Sequence, residues 1–294
     1  MNQIRLGCSG WSYPDNPEKG GWAKVFYPNS KIKRLSFYSR FFDTVEMDST
    51  FYEKFYKYMT KQTFEKIDKI TPDNFEISVK VPETISHLTR LNITKGSISL
   101  LEDFLDKISP LKLANKLGAI LIQLPPSFTV NDFQKTEDFL DKLPPGYQYA
   151  LEFRHLSWNT EGSLEMLKHH NIAAVMIDSP SSDNLQFLSK VIVTSLNHSI
   201  IRFHGKNSKH RYNYLYSKKE LKPWVEKVRK IMSETTKNTG KLRIYFNNHY
   251  GGKAIINALE FKQMMGIFIS DVEKKALELA KIYYSRSTLD NIIK

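Results

Sequence analysis

The sequence has few of the features that mark a secreted, membrane-bound or disulfide-stabilised protein. Among its 294 residues Cys8 is the single cysteine, so an intrachain disulfide and a multi-cysteine metal site are both excluded. The first ten residues, MNQIRLGCSG, lack the apolar core of a signal peptide. No apolar run approaches the roughly 18 residues that suggest a membrane span. We therefore expect a cytoplasmic protein with no membrane partner, in which Cys8 belongs to the core.

Linkers and internal repeats are lacking as well. No Gly/Ser-rich or Pro-rich tract interrupts the chain, and no segment is of low complexity. The hydrophobic content of 41% and the aromatic content of 13% exclude a disordered chain and are sufficient for a large core. The simplest prediction is one domain over residues 1–294.

Negative charge is scarce relative to positive charge. The chain has 43 Lys and Arg against 31 Asp and Glu, a formal net charge of +12. Such an excess attracts polyanions, nucleic acid among them. It is also typical of solvated helices, and the stretch KYMTKQTFEKIDKI has that pattern. The charge alone leaves both interpretations open.

The chain does contain a regular alternation of two patterns. Eight short runs rich in β-branched residues begin at Ile4, Thr44, Phe75, Ala119, Tyr149, Ala173, Ile200 and Leu242. Amphipathic stretches such as DFQKTEDFLDKL lie between them, with apolar residues three and four positions apart. If each strand is followed by a helix, the alternation predicts a parallel, closed (β/α)8 barrel of the TIM type. An open doubly wound sheet is the alternative.

Three connections are longer than a βα turn needs. They cover residues 11–43, 82–118 and 206–241. Long βα loops commonly carry function, and we expect these three to fold over the mouth of the barrel.

Polar residues recur two positions apart at the ends of the runs. Residues two apart on a strand point the same way, so Glu152 aligns with Arg154. The same step pairs Glu46 with Asp48, Ser78 with Lys80, Arg202 with His204, and Tyr245 with Asn247. Asp178 and Gln123 end two further runs. Because barrel enzymes place catalytic groups at the carboxyl ends of their strands, one shared site at the mouth explains this pattern.

These residues divide into two groups of candidates. The candidates for catalysis are Glu46, Asp48, Lys80, Glu152, Asp178 and His204. The candidates for substrate binding are Ser9, Trp11, Tyr52, Gln123, Arg154, His155, Arg202, Asn247 and Asn248. A structural role is an alternative for the deeper acids, since buried charges must be paired: Glu46 and Glu152 could simply hold Lys80 or Arg202. Most other histidines are expected at the surface.

Several longer blocks carry a family resemblance. The blocks GCSGWSYPD, FDTVEMDSTFY, FEISVKVP, LGAILIQLPPSF, ALEFRHLSW, IIRFHG and YFNNHYGGKAIINA resemble the YecE-like family, domain of unknown function 72. The resemblance covers nearly the whole chain. It implies a (β/α)8 barrel and no established activity. The chain departs from the family after YPD, where Asn16 replaces the usual tryptophan; we expect a lengthened first loop in which Trp22 takes that place.

The residues favour an enzyme acting on a small anionic, phosphate-containing substrate. Glu152 or Asp178 would be the base and His204 an acid or base, with Lys80, Arg154 and Arg202 stabilising negative charge. Lys80 could also form a Schiff base if its pKa is lowered. No cofactor is favoured, and no partner protein is indicated.

Two alternatives involve nucleic acid. In KNSKHRYNYLYSKK, phosphates could be contacted by three cations, and bases could stack on two tyrosines. The residues are Lys206, Lys209, Arg211, Tyr212 and Tyr214. Metal-dependent phosphodiester cleavage is suggested by fold analogy alone. A metal site is disfavoured because His155 and His204 lie among cations at the strand ends, although one ion on Glu152, Asp178 and His204 stays an alternative.

Overall fold

Eight parallel strands form the centre of the structure, a computed structural model that describes residues 3–234 and 240–292. The strands are β1 (Gln3–Cys8), β2 (Thr44–Met47), β3 (Glu76–Lys80), β4 (Leu117–Gln123), β5 (Gln148–Glu152), β6 (Ala173–Asp178), β7 (His198–Phe203) and β8 (Lys241–Phe246). They pair in the order β1-β8-β7-β6-β5-β4-β3-β2, and a bridge between Ser9 and Glu46 joins β1 to β2. The barrel is therefore nearly closed, which confirms the predicted fold over the open sheet.

Helices surround the barrel. They are α1 (Arg34–Tyr38), α2 (Glu53–Tyr56), α3 (Lys61–Lys69), α4 (Ser97–Leu113), α5 (Phe133–Asp141), α6 (Glu161–His169), α7 (Lys218–Glu234), α8 (Lys253–Met264) and α9 (Asp271–Ile292). The expectation of a helix after every strand is wrong for β6, which two short 3-10 turns follow, Ser181–Asp183 and Gln186–Ser189. Pro180 precedes the first turn and Asn184 adopts a positive φ of 53°, and both interrupt a helical path.

The basic excess lies partly on solvated helices, of which α3 is an example. The helix buries Phe64 and Ile67, three residues apart, against the core. Lys61, Lys66 and Lys69 are exposed on its other faces. This is the surface predicted for KYMTKQTFEKIDKI, because apolar residues at helical spacing mark the side that packs. In the part of the chain that the structure describes, no helix combines the length and apolarity needed to cross a membrane.

The barrel interior is polar at its amino end and in its middle. At the amino end Arg243 donates from Nε and Nη2 to the two carboxylate oxygens of Glu76 at 2.6 and 3.0 Å. In the middle the Tyr245 hydroxyl lies 2.9 Å from Thr44 Oγ1 and 2.8 Å from Ser78 Oγ. Each of these interior side chains has at least one partner, as buried polar groups require, although Arg243 Nη1 has none among the described residues. The carboxyl end of the interior is built differently and forms the candidate site.

An aromatic layer lies between the outer face of the barrel and its helices. Phe203 of β7 stacks on Phe246 of β8 with ring centroids 4.5 Å apart. The Phe203 ring also packs against Trp224 of α7 and Phe261 of α8. Cys8 pairs with Phe246 in the strand register and is fully buried, which confirms its predicted place in the core. The side chains of Phe203, Phe246 and Cys8 thus mark the face that points away from the barrel interior.

Parts of the long connections meet beside the carboxyl ends of the strands. Trp22, in the first connection, is buried and donates from Nε1 to the backbone oxygen of His249 at 2.7 Å. The second connection contains α4 and a π-helical turn, Thr84–Leu88. Residues 235–239 of the third connection lie outside the described residues. The first connection therefore packs against the segment that follows β8.

Candidate active site at the barrel mouth

The floor of the mouth is a buried cluster of charges around Arg202. Its Nε and Nη2 donate to the two carboxylate oxygens of Glu46 at 2.8 and 2.6 Å. Its Nη1 donates to Glu152 Oε2 at 2.5 Å and reaches Gln123 Oε1 at 3.3 Å. The side chains of Arg202, Glu46 and Glu152 are each at most 2% exposed. The two glutamates therefore hold Arg202, which is the supporting role that the sequence left open.

Glu152 stays ionised in this cluster. Burial by itself would raise its pKa, but Arg202, His204 and Arg154 together hold the pKa well below its usual value. Burial would likewise lower the pKa of Arg202, and Glu152 and Glu46 raise it instead. Both groups keep their charges at neutral pH, so Glu152 is poorly suited to donate a proton.

His204 is held as a neutral imidazole. Its Nδ1 accepts a hydrogen bond from Asn247 Nδ2 at 3.0 Å, which places the ring proton on Nε2, 3.3 Å from Glu152 Oε1. Burial is the largest cause that lowers the pKa of His204, to about 3. Because both ring nitrogens already have partners, His204 positions Glu152 and is not a free acid or base.

Arg154 is the cation of this cluster with unused donors. It donates from Nη1 to Glu152 Oε1 at 2.7 Å, and Nη1 also lies 3.4 Å from His204 Nε2. Among the described residues no protein group bonds to its Nε or Nη2. The residue is partly exposed, whereas Arg202 is buried. Arg154 can therefore offer N–H groups to a ligand without losing its contact with Glu152.

Lys80 and Asp48 are the two titratable groups of the mouth with pKa values near neutrality. Lys80 Nζ lies 3.4 Å from the ring centroid of Phe51. Within the described ranges no carboxylate oxygen lies within 4.0 Å of it. Burial and then Arg202 lower the pKa of Lys80 to about 7. Burial and then Glu46 raise the pKa of Asp48 to about 6. Each group can thus gain or lose a proton at physiological pH.

The backbone holds Lys80 firmly at the end of β3. Thr50 Oγ1 donates to the Lys80 carbonyl oxygen at 2.6 Å and accepts a hydrogen bond from the Lys80 backbone nitrogen at 3.2 Å. Thr50 belongs to the 3-10 turn Asp48–Thr50 that directly follows β2. The same turn therefore places Asp48, Phe51 and the Lys80 backbone beside one another.

A stack of aromatic rings borders the mouth. His249 lies between Tyr13 and Tyr212, with centroid distances of 4.4 and 4.9 Å, and Tyr13 continues the stack to Trp22 at 4.8 Å. Tyr212 and Tyr52 are 40% and 41% exposed. Burial lowers the pKa of His249 to about 4, so the ring is neutral. These rings can support a planar or apolar part of a ligand.

The expectation that most other histidines lie at the surface is wrong: His198 is buried, His87, His170 and His249 are half-buried, and only His169 and His210 of these six are exposed. His249 is in the stack, and His198 is buried with Nε2 2.9 Å from the Tyr149 oxygen. His87 lies against Phe51, 4.8 Å between ring centroids. His249 had a signal in the sequence: it follows Asn247 by two residues, the step that marks the mouth elsewhere. The predicted pattern ended at Asn247, one step before His249.

The remaining binding candidates lie in different places. Ser9 is fully buried where β1 meets β2, and no described group bonds to its hydroxyl. Trp11 is partly buried against the core, and its carbonyl oxygen accepts a hydrogen bond from Tyr27. His155 is exposed, and its Nδ1 accepts from the backbone N–H of Ser157 at 3.1 Å. The structure thus uses His155 to cap a turn and does not place it in the charged cluster.

The structure does not place Asn248 in the mouth, where the sequence predicted a substrate-binding side chain. Its Nδ2 donates to the Tyr214 backbone oxygen and to Asn257 Oδ1, both at 2.8 Å. Asn257 lies on α8, so these bonds tie the loop after β7 to a helix outside the barrel. Asn247 points to His204, and its neighbour therefore points to the opposite side. Asn248 anchors a loop and does not line the mouth.

The prediction that Asp178 lies with the other catalytic candidates is also wrong, because its side chain does not converge with theirs. In the strand register Ile177 pairs with the inward Arg202, whereas Asp178 pairs with Phe203 of the outer layer. Its nearest cation is Lys206, 3.6 Å away. The structure therefore does not bring Glu152, Asp178 and His204 together as the ligands of one metal ion. Within residues 3–234 and 240–292, no group of three or more His, Cys, Asp or Glu side chains could hold a metal ion.

The basic loop after β7 is largely engaged with carboxylates. Lys206 lies 3.6 Å from Asp178 and 3.4 Å from Glu220, and Arg211 pairs with Asp183 at 2.9 Å. The Tyr214 hydroxyl donates to Glu220 at 2.6 Å. Of the five candidates for nucleic-acid contact, two therefore remain exposed without a carboxylate partner among the described residues. They are Lys209 and Tyr212.

Sequence comparison agrees with this geometry at the level of the fold. The family described as "Protein of unknown function DUF72" matches residues 5–280. The chain belongs to the DUF72 family. The UPF0759 protein YunF of Bacillus subtilis is 27% identical over 301 residues, which cover 94% of this chain and 99% of YunF. The UPF0759 protein YecE of Escherichia coli K12 is 26% identical over 253 residues, covering 79% of this chain and 84% of YecE.

Solved DUF72 structures have the same architecture. A DUF72 family protein of Thermotoga maritima has a TM-score of 0.72 and 30% identity, covering 90% of this chain and 100% of that protein. Another from Enterococcus faecalis has a TM-score of 0.70 at 23% identity, covering 91% of this chain and 99% of that protein. The family resemblance predicted from the sequence is confirmed. The names of these DUF72 relatives state no activity.

Proposed function

We propose that the protein is an enzyme that binds a small anionic, phosphate-containing molecule at the barrel mouth and catalyses a proton transfer there. Arg154 holds the anion, and Lys80 and Asp48 exchange protons with it. One observation supports this proposal most directly. The same mouth contains Arg154 donors without a protein acceptor and two groups, Lys80 and Asp48, whose pKa values lie near neutral pH.

Anion binding is supported by the donors at the rim. A guanidinium presents planar N–H groups that match the oxygens of phosphate or carboxylate. The Arg154 Nε and Nη2 have no protein acceptor among the described residues, while its Nη1 is fixed by Glu152. A ligand oxygen can therefore bind a guanidinium that is already oriented, and less side-chain entropy is lost on binding.

Acid-base catalysis is supported by the contrast between Lys80 and its charged neighbours. General acids and bases work best when their pKa lies near the operating pH. Lys80, with a pKa of about 7, and Asp48, with a pKa of about 6, meet this condition. Glu152 stays ionised and His204 stays neutral, so neither meets it. We therefore assign proton transfer to Lys80 and Asp48, and assign positioning to Glu46, Glu152, Arg202 and His204.

The test is a calorimetric titration of the protein with inorganic phosphate and sulfate. We expect Arg154→Ala to weaken binding by roughly 10- to 100-fold, since a hydrogen bond to a charged group is worth about 1.5–3 kcal/mol. The matched control is Arg229→Ala, because Arg229 is exposed on α7 and Glu226 is its one carboxylate partner among the described residues. Equal phosphate affinity in the wild type and a folded Arg154→Ala variant would exclude this anion site.

Nucleic-acid binding is the second candidate function. Its supporting observation is Tyr212, whose partly exposed ring lies on His249 at the rim of the mouth. Base stacking on such a ring is worth roughly 1–3 kcal/mol. Lys206 and Arg211, however, are already near carboxylates, which lowers the charge that the loop can offer to phosphates. The small anion is therefore the preferred ligand.

A further inference from the structure

Lys80 differs from the other buried lysine of the described chain. Lys116 is 3% exposed, and its Nζ donates to the backbone oxygens of Asp68 and Thr71 at 2.8 and 2.9 Å. Its Nζ also lies 2.8 Å from a carboxylate oxygen of Asp68. Lys80 is 7% exposed and faces the Phe51 ring, with no hydrogen-bond acceptor for Nζ in the described ranges. The Lys116 Nζ is thus held by acceptors, whereas the Lys80 Nζ is not.

An amine in this environment can be a nucleophile. An ordinary lysine with a pKa near 10.4 is neutral in roughly one molecule of 2,500 at pH 7. Burial and Arg202 lower the pKa of Lys80 to about 7, so about half of the molecules carry a neutral amine with a free lone pair. Lysine amines activated by desolvation and by a neighbouring cation attack carbonyl carbons.

We infer that Lys80 forms a Schiff base with a small aldehyde or ketone whose anionic group is bound by Arg154. This inference rests on the proposed function and specifies its substrate class. Lys80 lies at the carboxyl end of β3, inward, and Arg154 follows β5 on the same side of the barrel. Nucleophile and anion-binding group therefore face one mouth.

The chemistry balances with groups that the mouth contains. The Lys80 nitrogen attacks the carbonyl carbon, the C=O π electrons move to oxygen, and this oxygen takes the proton of the Asp48 carboxylic acid. The nitrogen of the carbinolamine then returns a proton to the Asp48 carboxylate. Asp48 next protonates the hydroxyl, the C–O bond breaks, and water leaves as the nitrogen lone pair forms C=N. One carbonyl compound, one neutral amine and one proton from Asp48 give one protonated imine and one water, with Asp48 left as its carboxylate and with no oxidant or reductant.

Asp48 is suited to this shuttle by its place in the structure. It begins the 3-10 turn after β2, two residues beyond the inward Glu46 and three before Phe51. Burial and Glu46 raise the pKa of Asp48 to about 6, so both its acid and its carboxylate are populated near neutral pH. Asp48 can thus donate and take back a proton within one reaction.

The experiment is reductive trapping of the imine. The protein is incubated at pH 7 with sodium cyanoborohydride and, in separate samples, with glycolaldehyde phosphate, dihydroxyacetone phosphate or pyruvate. Digestion and mass spectrometry then locate the reduced adducts. We expect Lys80 to react at least ten times faster than exposed Lys209 with one or more of these compounds, and Lys116 to stay unmodified. Labelling of Lys80 no faster than Lys209 with all three compounds overturns the inference.

Two comparisons separate this inference from the proposed function. Neutral glycolaldehyde, the matched probe without phosphate, should label Lys80 at least ten times more slowly than glycolaldehyde phosphate, and Arg154→Ala should remove the difference. Equal rates would overturn the anionic substrate class. Normal phosphate affinity in the calorimeter with no selective Lys80 adduct would overturn the Schiff base alone. Adduct formation is read on the wild-type protein, so it does not depend on the folding of a Lys80→Met variant.

Discussion

Arg202 and Glu46 form a two-bond ion pair inside the barrel although they are 156 residues apart in the sequence. The pair joins β7 to β2 across the interior, and Glu152 of β5 adds a third strand to it. Three strands are thereby tied together beneath the mouth. This cluster affects Lys80 directly, because after burial Arg202 is the largest cause that lowers the pKa of Lys80.

Removing the central guanidinium should destabilise the protein strongly. Arg202→Met leaves two buried carboxylates without their shared cation, and we expect a loss of about 3–5 kcal/mol in the free energy of unfolding. Urea denaturation measures this loss. Arg229→Met, at an exposed pair on α7, should change the free energy by at most about 0.5 kcal/mol. Similar losses in the two variants would contradict the supporting role of the cluster.

Lys80 should titrate near pH 7. Since its pKa is depressed in the folded protein and ordinary in the unfolded chain, the unfolded chain binds more protons between about pH 7 and pH 10. The Lys80 contribution to stability should therefore rise with pH across this window. Nitrogen-detected NMR of the lysine Nζ groups follows the titration, and Lys80→Met assigns the signal. A signal that titrates above pH 10 would show an ordinary lysine.

His204 should not titrate between pH 5 and pH 8. Burial lowers its pKa to about 3, and the bond from Asn247 requires an unprotonated Nδ1. Proton-nitrogen correlation spectra should show the Nε2–H tautomer across this range. Asn247→Leu removes the donor to Nδ1 and should alter that nitrogen's chemical shift without charging the ring. An imidazolium spectrum at pH 6 would contradict the arrangement.

Asp178→Asn should leave the affinity for phosphate unchanged. Asp178 lies on the outer face of β6 beside Lys206, away from the Arg154 donors. The same calorimetric titration that detects Arg154→Ala provides the comparison. A tenfold loss of affinity in Asp178→Asn would place the anion on the outer side of the sheet.

Binding to a short single-stranded DNA should depend only modestly on salt. Each phosphate neutralised on a single strand contributes about 0.7 to the slope of log affinity against log salt. Lys209→Ala should reduce the slope by about that amount, whereas Arg211→Ala should change it less because Arg211 pairs with Asp183. Tyr212→Ala should weaken binding without altering the slope. A larger change for Arg211→Ala, measured by fluorescence anisotropy, would indicate that the Asp183 pair opens on binding.

Much of the barrel and part of its mouth could be predicted from local pattern. Eight apolar runs alternating with amphipathic stretches predict parallel strands and covering helices, because burial on both faces of a strand and on one face of a helix leaves different periods in the sequence. The two-residue step likewise aligned Glu152 with Arg154 and Arg202 with His204, and the ion pairs of the floor involve these residues. Local periodicity was sufficient because it describes positions within a single strand.

The sequence by itself determined the strands, their parallel direction and which polar residues share a face of one strand. Only the tertiary structure decided which face points inward, and this is where Asp178 differs from the prediction: the register of β6 on β7 turns Ile177 to the interior instead. It also decided that Glu76 pairs with Arg243 and that His249 joins the stack. Ion pairing and desolvation depend on distances between residues far apart in the chain, so the pKa values of Lys80 and Asp48 arise only when the barrel closes.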